Sequence, residues 1–404
     1  MEVILLNRED FEIFKQDPSL IYFDNGATTQ KPKVVVDSIV DYYTKYTANA
    51  HRGDYDISLK VDMAYEGVRD KVKELIHNKK SKEIVFTSGA TASINMIVFG
   101  FMKYHLTSGD EVLITKSEHA SNILPWIDLA KEMGIIVRYI PLENHLVTIE
   151  NVEKMVNERT KVISLAQVTN VLGDERPIEK IGKLCKENGI YFVVDGSQSV
   201  PHMEIDVQKL NIDFLAFSAH KMLGPTGVGV LYGREELLEN LKPTSLGGGM
   251  NATFDSEGRI EYKSLPSRLE AGTPNIAGVI GLGSAIDYLL KVGLNNIHRH
   301  EVELKKYAIQ KLEKIPNIVI YNKDIENGMI AFNIDKVFSQ DTAVYLNHYH
   351  ICVRAGNHCA KILKEDIQVK NTCRISFYLY NTKEEIDELV RVLEQSEDIF
   401  KIVL

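Results

Sequence analysis

Seven short runs of apolar, β-favouring residues mark the first part of the chain, at 83–87, 111–115, 135–140, 161–166, 191–195, 214–218 and 228–232. They are nearly continuous rather than alternating, the pattern of strands buried on both faces. Between them lie stretches with helical spacing, such as Ile178, Ile181, Leu184 and Cys185 within 178–187. This succession predicts an α/β fold, a large, mostly parallel sheet covered by helices on both faces. A long helix is expected over 275–293 and a more polar one over 296–313. The pattern then changes. Strands at 318–321, 329–334, around Val353 and at 374–377, closed by a helix over 383–394, predict a smaller α+β unit. The expected division is a large domain over 21–290 and a small C-terminal domain over 291–404, with residues 1–20 packing on the latter.

Composition narrows the function classes. A chain of 404 residues buries enough surface for two domains without special staples. Its net charge of -9 argues against a nucleic-acid footprint or an acidic membrane surface as partner. The apolar start is interrupted at once by Asn7-Arg8-Glu9-Asp10, and no apolar run is long enough to span a bilayer, so a cytoplasmic protein is expected. The four cysteines, Cys185, Cys352, Cys359 and Cys373, form neither a disulfide framework nor a CxxC pair. No metal site is expected.

Ligands of open α/β sheets bind beyond the carboxyl ends of the strands. Four such ends carry chemistry. Ser88-Gly89-Ala90-Thr91, leading into a helix near Ala92, offers free N–H groups for a phosphate, although it also suits an ordinary capping turn. Asp195-Gly196-Ser197-Gln198 brings a carboxylate to a buried strand tip. There it would need a cationic partner, such as a protonated pyridine nitrogen, or would act as a helix cap. Ser218-Ala219-His220-Lys221 supplies a lysine whose pKa burial would lower, as a Schiff base requires; the alternative is a solvated loop lysine. His119, in Ser117-Glu118-His119-Ala120-Ser121-Asn122, is either a structural histidine or a ring-stacking proton carrier on the same rim. Together the four point to pyridoxal 5'-phosphate (PLP).

With these stations the sequence resembles the class V, fold-type I PLP enzymes, and among them the cysteine desulfurases of the SufS-like group. The resemblance runs from Phe23-Asp24-Asn25-Gly26-Ala27-Thr28-Thr29 and His51-Arg52-Gly53 through the Asp195 and Lys221 segments to Glu270-Ala271-Gly272-Thr273-Pro274-Asn275. It continues in Arg354-Ala355-Gly356-Asn357-His358-Cys359-Ala360 and Arg374-Ile375-Ser376-Phe377-Tyr378-Leu379-Tyr380-Asn381-Thr382. It implies Lys221 as the Schiff-base lysine, Asp195 as partner of the pyridine nitrogen, Gln198 as donor to the ring oxygen and His119 as the stacking acid/base. The turn of Ala90 and Thr91, with Ser218 and His220, would hold the phosphate. Gly272 and Thr273 would reach the phosphate of a neighbouring subunit, implying a homodimer. Asn170, Arg374, Arg354 and His51 would bind the substrate, L-cysteine.

Within that resemblance Cys359 selects the reaction. A thiol in a loop segment, beside His358 and near Arg354, is expected to react as the thiolate, whereas Cys185, Cys352 and Cys373 fall off the motif. The implied activity is conversion of L-cysteine to L-alanine with sulfur held as a persulfide on Cys359. That sulfur would pass to a SufE- or SufU-like acceptor for iron–sulfur cluster or thio-cofactor assembly. The alternatives are selenocysteine lysis, cysteine-sulfinate desulfination or another class V reaction, and, outside enzymes, a non-catalytic scaffold. The chain departs from the group at Asn357 and Gln340, where histidine is usual, at Ala90 and Ala92, and in Lys361-Ile362-Leu363.

Overall fold

The computed structural model describes residues 8–51, 53–395 and 399. Residues 1–7 of the expected N-terminal packing segment, Arg52 of the His51-Arg52-Gly53 segment, and residues 396–398 and 400–404 lie outside the described residues.

All seven apolar runs form strands of one sheet: β1 (Ile84–Thr87), β2 (Glu111–Ile114), β3 (Ile136–Tyr139), β4 (Thr160–Ala166), β5 (Tyr191–Asp195), β6 (Phe214–Ser218) and β7 (Gly229–Gly233). Their order is β1-β7-β6-β5-β4-β2-β3, and β7 alone runs antiparallel to its neighbours. Alternate residues of each strand enter two different cores. Phe192 and Val194 of β5 pack with Val61, Tyr65 and Ile286 on one face, and Val193 packs with Phe101 and Trp126 on the other. Both faces being apolar is why the runs read as continuous. Helix Ile276–Val292 is buried almost all round because it lies between the sheet and the helices Lys33–Lys45 and Asp56–Leu75.

That helix ends at Gly293, and the polar helix Leu294–Leu312 follows. The expected boundary at 290/291 therefore falls in its last turn. A second sheet is built from β8 (Ile318–Ile320), β9 (Met329–Ile334), β10 (Arg354–Gly356) and β11 (Thr372–Ser376), ordered β8-β9-β11-β10 and antiparallel throughout. The strand expected around Val353 is displaced: Val353 is a break between Ile351–Cys352, which pairs with Ile21–Tyr22, and β10. Helices Leu294–Leu312 and Lys383–Glu394 cover one face of this sheet through Leu304, Ala308, Leu389 and Val392. On the other face Ala331 meets Val171, Leu172, Ala360 and Leu363. The segment carrying Cys359 is thereby packed on the loop that follows β4. Phe11 meets both Tyr288 and Tyr380 edge-on, and Arg8 pairs with Glu385.

Among the described residues no single helix is long and apolar enough to cross a membrane. The bent pair Ile276–Val292 and Leu294–Leu312 passes that test by length and composition alone.

Candidate active site

Sheet register assembles the site. Gly229 of β7 pairs with both Thr87 and Ser218, so the ends of β1 and β6 lie on either side of one glycine. A side chain on Gly229 would meet the backbone of Gly89 at 2.3 Å, so only glycine lets the turn after β1 approach this closely. Asp195 stands opposite Ala166 and Ala216 at the same rim.

These ends open on a cavity of about 230 Å³ lined by Gly26, Ala90, Thr91, His119, Asn170, Asp195, Ser218, His220, Lys221, Arg354, His358 and Arg374, among others. Among the described residues, two larger depressions, of about 460 and 410 Å³, carry neither a lysine beside a buried carboxylate nor an arginine pair. Asp195 is buried and accepts the Ser197 amide at 2.9 Å. Burial pushes the Lys221 amine down to about 8, against the opposing pull of Asp195. His119 is lowered by burial and then by Lys221; its Nδ1 accepts the Ser121 amide at 3.1 Å, which leaves the ring proton on Nε2. His220 is pushed down to about 4 by burial, Lys221 and Lys31.

Arg374 is almost fully buried. It donates to the Asn170 carbonyl at 2.7 Å and to Asp24 at 2.8 Å, and its guanidinium lies flat against Gly26, where a Cβ would come within 3.1 Å of it. Three buried atoms of this cavity's lining residues have no partner: Arg374 Nε, Asn170 Oδ1 and His358 Nδ1. Buried polar atoms without partners are costly, and here they await a polar ligand. A poised amine, a carboxylate at the strand tip, a helix N-terminus and these unpartnered groups suit an anionic aromatic aldehyde such as PLP with an amino-acid substrate.

Cys359 is exposed. Its sulfur lies 3.9 Å from Arg354 Nη2, so a cavity-lining guanidinium faces the thiol. Cys185 and Cys373 are buried, and burial raises both thiols, to about 12 for Cys373.

Other expected residues lie outside this cavity or are already engaged. Gln198 does not line the cavity. Its amide nitrogen donates to the Gly26 carbonyl at 2.7 Å, and the side chain faces a separate small cavity beside His202 and Glu301. His51 is likewise absent from the lining; it is exposed and pairs with Glu66 at 3.2 Å, because it sits in a loop ahead of Asp56–Leu75 and that helix's acidic face captures it. In the Ala90–Thr91 turn the Ala90 amide is already taken by Ser218 Oγ at 2.8 Å, and Thr91 Oγ1 bonds Ser121 Oγ at 2.7 Å, so the helix begins at Ala90 rather than near Ala92. Gly272 and Thr273 are exposed and outside the cavity of this chain.

The sequence reading missed the support beneath His119. Glu118 and Arg176, both fully buried, pair there, with Arg176 also donating to Thr115 and Ser117 at 2.8 and 2.7 Å. Glu118 adjoins His119 in sequence, which is a signal; Arg176 is 58 positions away, and no local pattern marks it.

Comparison with known proteins agrees with this geometry. The aminotransferase class-V family model matches residues 21–389. A probable cysteine desulfurase of Halalkalibacterium halodurans is 44% identical over 94% of both chains. Among solved structures, the apo cysteine desulfurase of Thermococcus onnurineus superposes with a TM-score of 0.93 at 36% identity, covering 98% of each chain. The Escherichia coli cysteine desulfurase CsdA does so with 0.91 at 34%, covering 97% of each. The chain therefore belongs to the class-V aminotransferase family, among its cysteine desulfurases.

Proposed function

We propose that this chain, loaded with PLP, converts L-cysteine to L-alanine and retains the sulfur as a persulfide on Cys359. Support comes from one cavity that holds Lys221, Asp195 and Arg354, with the exposed Cys359 sulfur 3.9 Å from that arginine. Lys221 would hold the cofactor, Asp195 would face its pyridine nitrogen, His119 its ring, and Ser218, His220 and the Thr91 turn its phosphate. When bound, PLP supplies an electron sink for charge developing at the substrate Cα.

The rest is work for side chains. Lys221, its pKa lowered to about 8, keeps a neutral fraction at physiological pH, and that free amine takes the Cα proton and returns one. His119, neutral and protonated on Nε2, could supply the proton that the carbon fragment takes up once the sulfur has left. The contacts of Arg374 to Asn170 and Asp24 hold its guanidinium in place at the cavity wall, where it would meet the substrate carboxylate. Cys359, its sulfur 3.9 Å from Arg354 Nη2, attacks the substrate sulfur as the thiolate. The carbon–sulfur bond breaks as the sulfur–sulfur bond forms; the electron pair left on carbon takes up a proton, and L-alanine leaves.

The proposal includes a homodimer in which Gly272 and Thr273 serve the partner's site. Large apolar side chains exposed on this chain, among them Val40, Tyr43, Leu59 and Met63, support association. It also includes the division at 290/291, a cytoplasmic setting, and a SufE- or SufU-like acceptor meeting exposed Cys359 for iron–sulfur cluster or thio-cofactor assembly. The test is mass spectrometry of the PLP-loaded protein after L-cysteine. One added sulfur on Cys359, alanine in equal amount, and loss of both in Cys359→Ala with the PLP absorbance intact are expected. Unchanged turnover in Cys359→Ala would sink the persulfide step.

A further inference from the structure

Cys359 and His358 both have positive φ, 60° and 50°, a conformation that ordinary side chains disfavour. Two consecutive residues held there need outside support. The surrounding main chain is held at several points. The His358 carbonyl accepts from Asn170 Nδ2 at 2.6 Å, and the Cys359 carbonyl accepts from the Ala120 amide at 2.8 Å. The His358 ring is buried against Thr372 at 3.0 Å. The Cys359 amide itself is turned toward its own segment, where Asn357 Oδ1 accepts it at 3.2 Å, while the Asn357 carbonyl accepts the Ala360 amide at 2.8 Å.

We infer that Asn357 is a positioning residue for the sulfur-accepting thiol: its side-chain oxygen closes a turn on the Cys359 amide and so keeps the sulfur beside Arg354. Asparagine is well suited to this, since its short side chain bonds the backbone two residues on. Every other contact of the Cys359 backbone comes from a distant segment and fixes a carbonyl. Among the described residues, Asn357 is what restrains the amide side, and with it the direction of the Cα–Cβ bond. It is exposed and touches none of the cavity-lining groups assigned to cofactor or substrate. A neutral acceptor also matters here. A carboxylate at the same place would put a negative charge beside the reacting sulfur.

This inference rests on Cys359 as the sulfur acceptor, and its test separates the two. In the PLP-loaded protein, the rate of Cys359 carbamidomethylation by iodoacetamide is followed against pH by peptide mass spectrometry, a readout independent of turnover. Persulfide formation from L-cysteine is followed in a single turnover. Asn357→Ala is expected to move the alkylation profile away from that of the wild-type protein, because the sulfur drifts from Arg354, and to slow persulfide formation about tenfold, the scale of one lost hydrogen bond. Asn357→Ser, whose hydroxyl can accept the same amide, restores most of both. Wild-type behaviour of Asn357→Ala, or Asn357→Ser as impaired as Asn357→Ala, overturns the inference. Should the wild-type protein form no persulfide on Cys359, the function proposal fails instead, and the alkylation profiles still decide the role of Asn357.

Discussion

Glu118 and Arg176 form an ion pair with no solvent exposure on either side chain, directly beneath His119. Glu118 also accepts from Asn122 at 2.9 Å, from Thr115 at 2.8 Å and from the Ala166 amide at 2.8 Å, so it ties the His119 segment to the end of β4. Burying charges repays its desolvation only when the remaining hydrogen bonds are made; Thr115, Ser117 and Ala166 make most of them, while Arg176 Nε, without a hydrogen bond, faces a second buried carboxylate, Asp174, at 3.6 Å.

Removing one partner therefore leaves a charge stranded. Arg176→Met is expected to destabilise the protein by about 3–5 kcal/mol in denaturant unfolding, and Arg176→Met combined with Glu118→Gln to recover a large part of that loss. Equal stabilities for the single and double variants would mean that Glu118 is compensated by its other donors.

Lys221 sets a pH dependence that can be read without substrate. The free amine captures PLP, and burial holds its pKa near 8 instead of the ordinary value of about 10.4, so the neutral form dominates above pH 8. Growth of the visible band on adding PLP to the apoprotein is expected to accelerate with pH and to level off just above 8. Lys221→Ala should give no such band. A rate still climbing at pH 10 would show that the amine is solvated.

His358 makes stability sensitive to acid. Its folded pKa is pushed down to about 3 by burial, with Arg374 and Arg354 adding to the effect, while the unfolded chain protonates near 6.5. Between those values the unfolded state binds the extra proton, so unfolding free energy falls as pH drops through this window and is intact above it. His358→Gln is expected to flatten the decline between pH 6.5 and 3 by one proton's worth of slope. An unchanged slope would assign the acid sensitivity to other groups.

Much of the fold was legible because its physics is local. A strand covered on both faces must be apolar at successive positions, so all seven runs of the large sheet could be read directly, as could the helix Lys383–Glu394 with its capping box at Thr382 and Glu385. The small unit was less legible. Its strands are short and lie among turns, and the break at Val353 depends on Ile351–Cys352 pairing with Ile21–Tyr22, far away in sequence.

The sequence by itself determined which residues stand at the strand ends. Asp195 and Lys221 close apolar runs, and run ends in a parallel sheet share one rim, so their convergence follows from periodicity and topology. What only the tertiary structure decided is where each side chain points and what already occupies it. Gln198 is taken by Gly26, His51 by Glu66, the Ala90 amide by Ser218, and the two carbonyls around Cys359 by Asn170 and Ala120. Apart from His51 and Glu66, 15 positions apart, these contacts span more than a hundred positions and depend on how separate elements pack, so no local pattern records them.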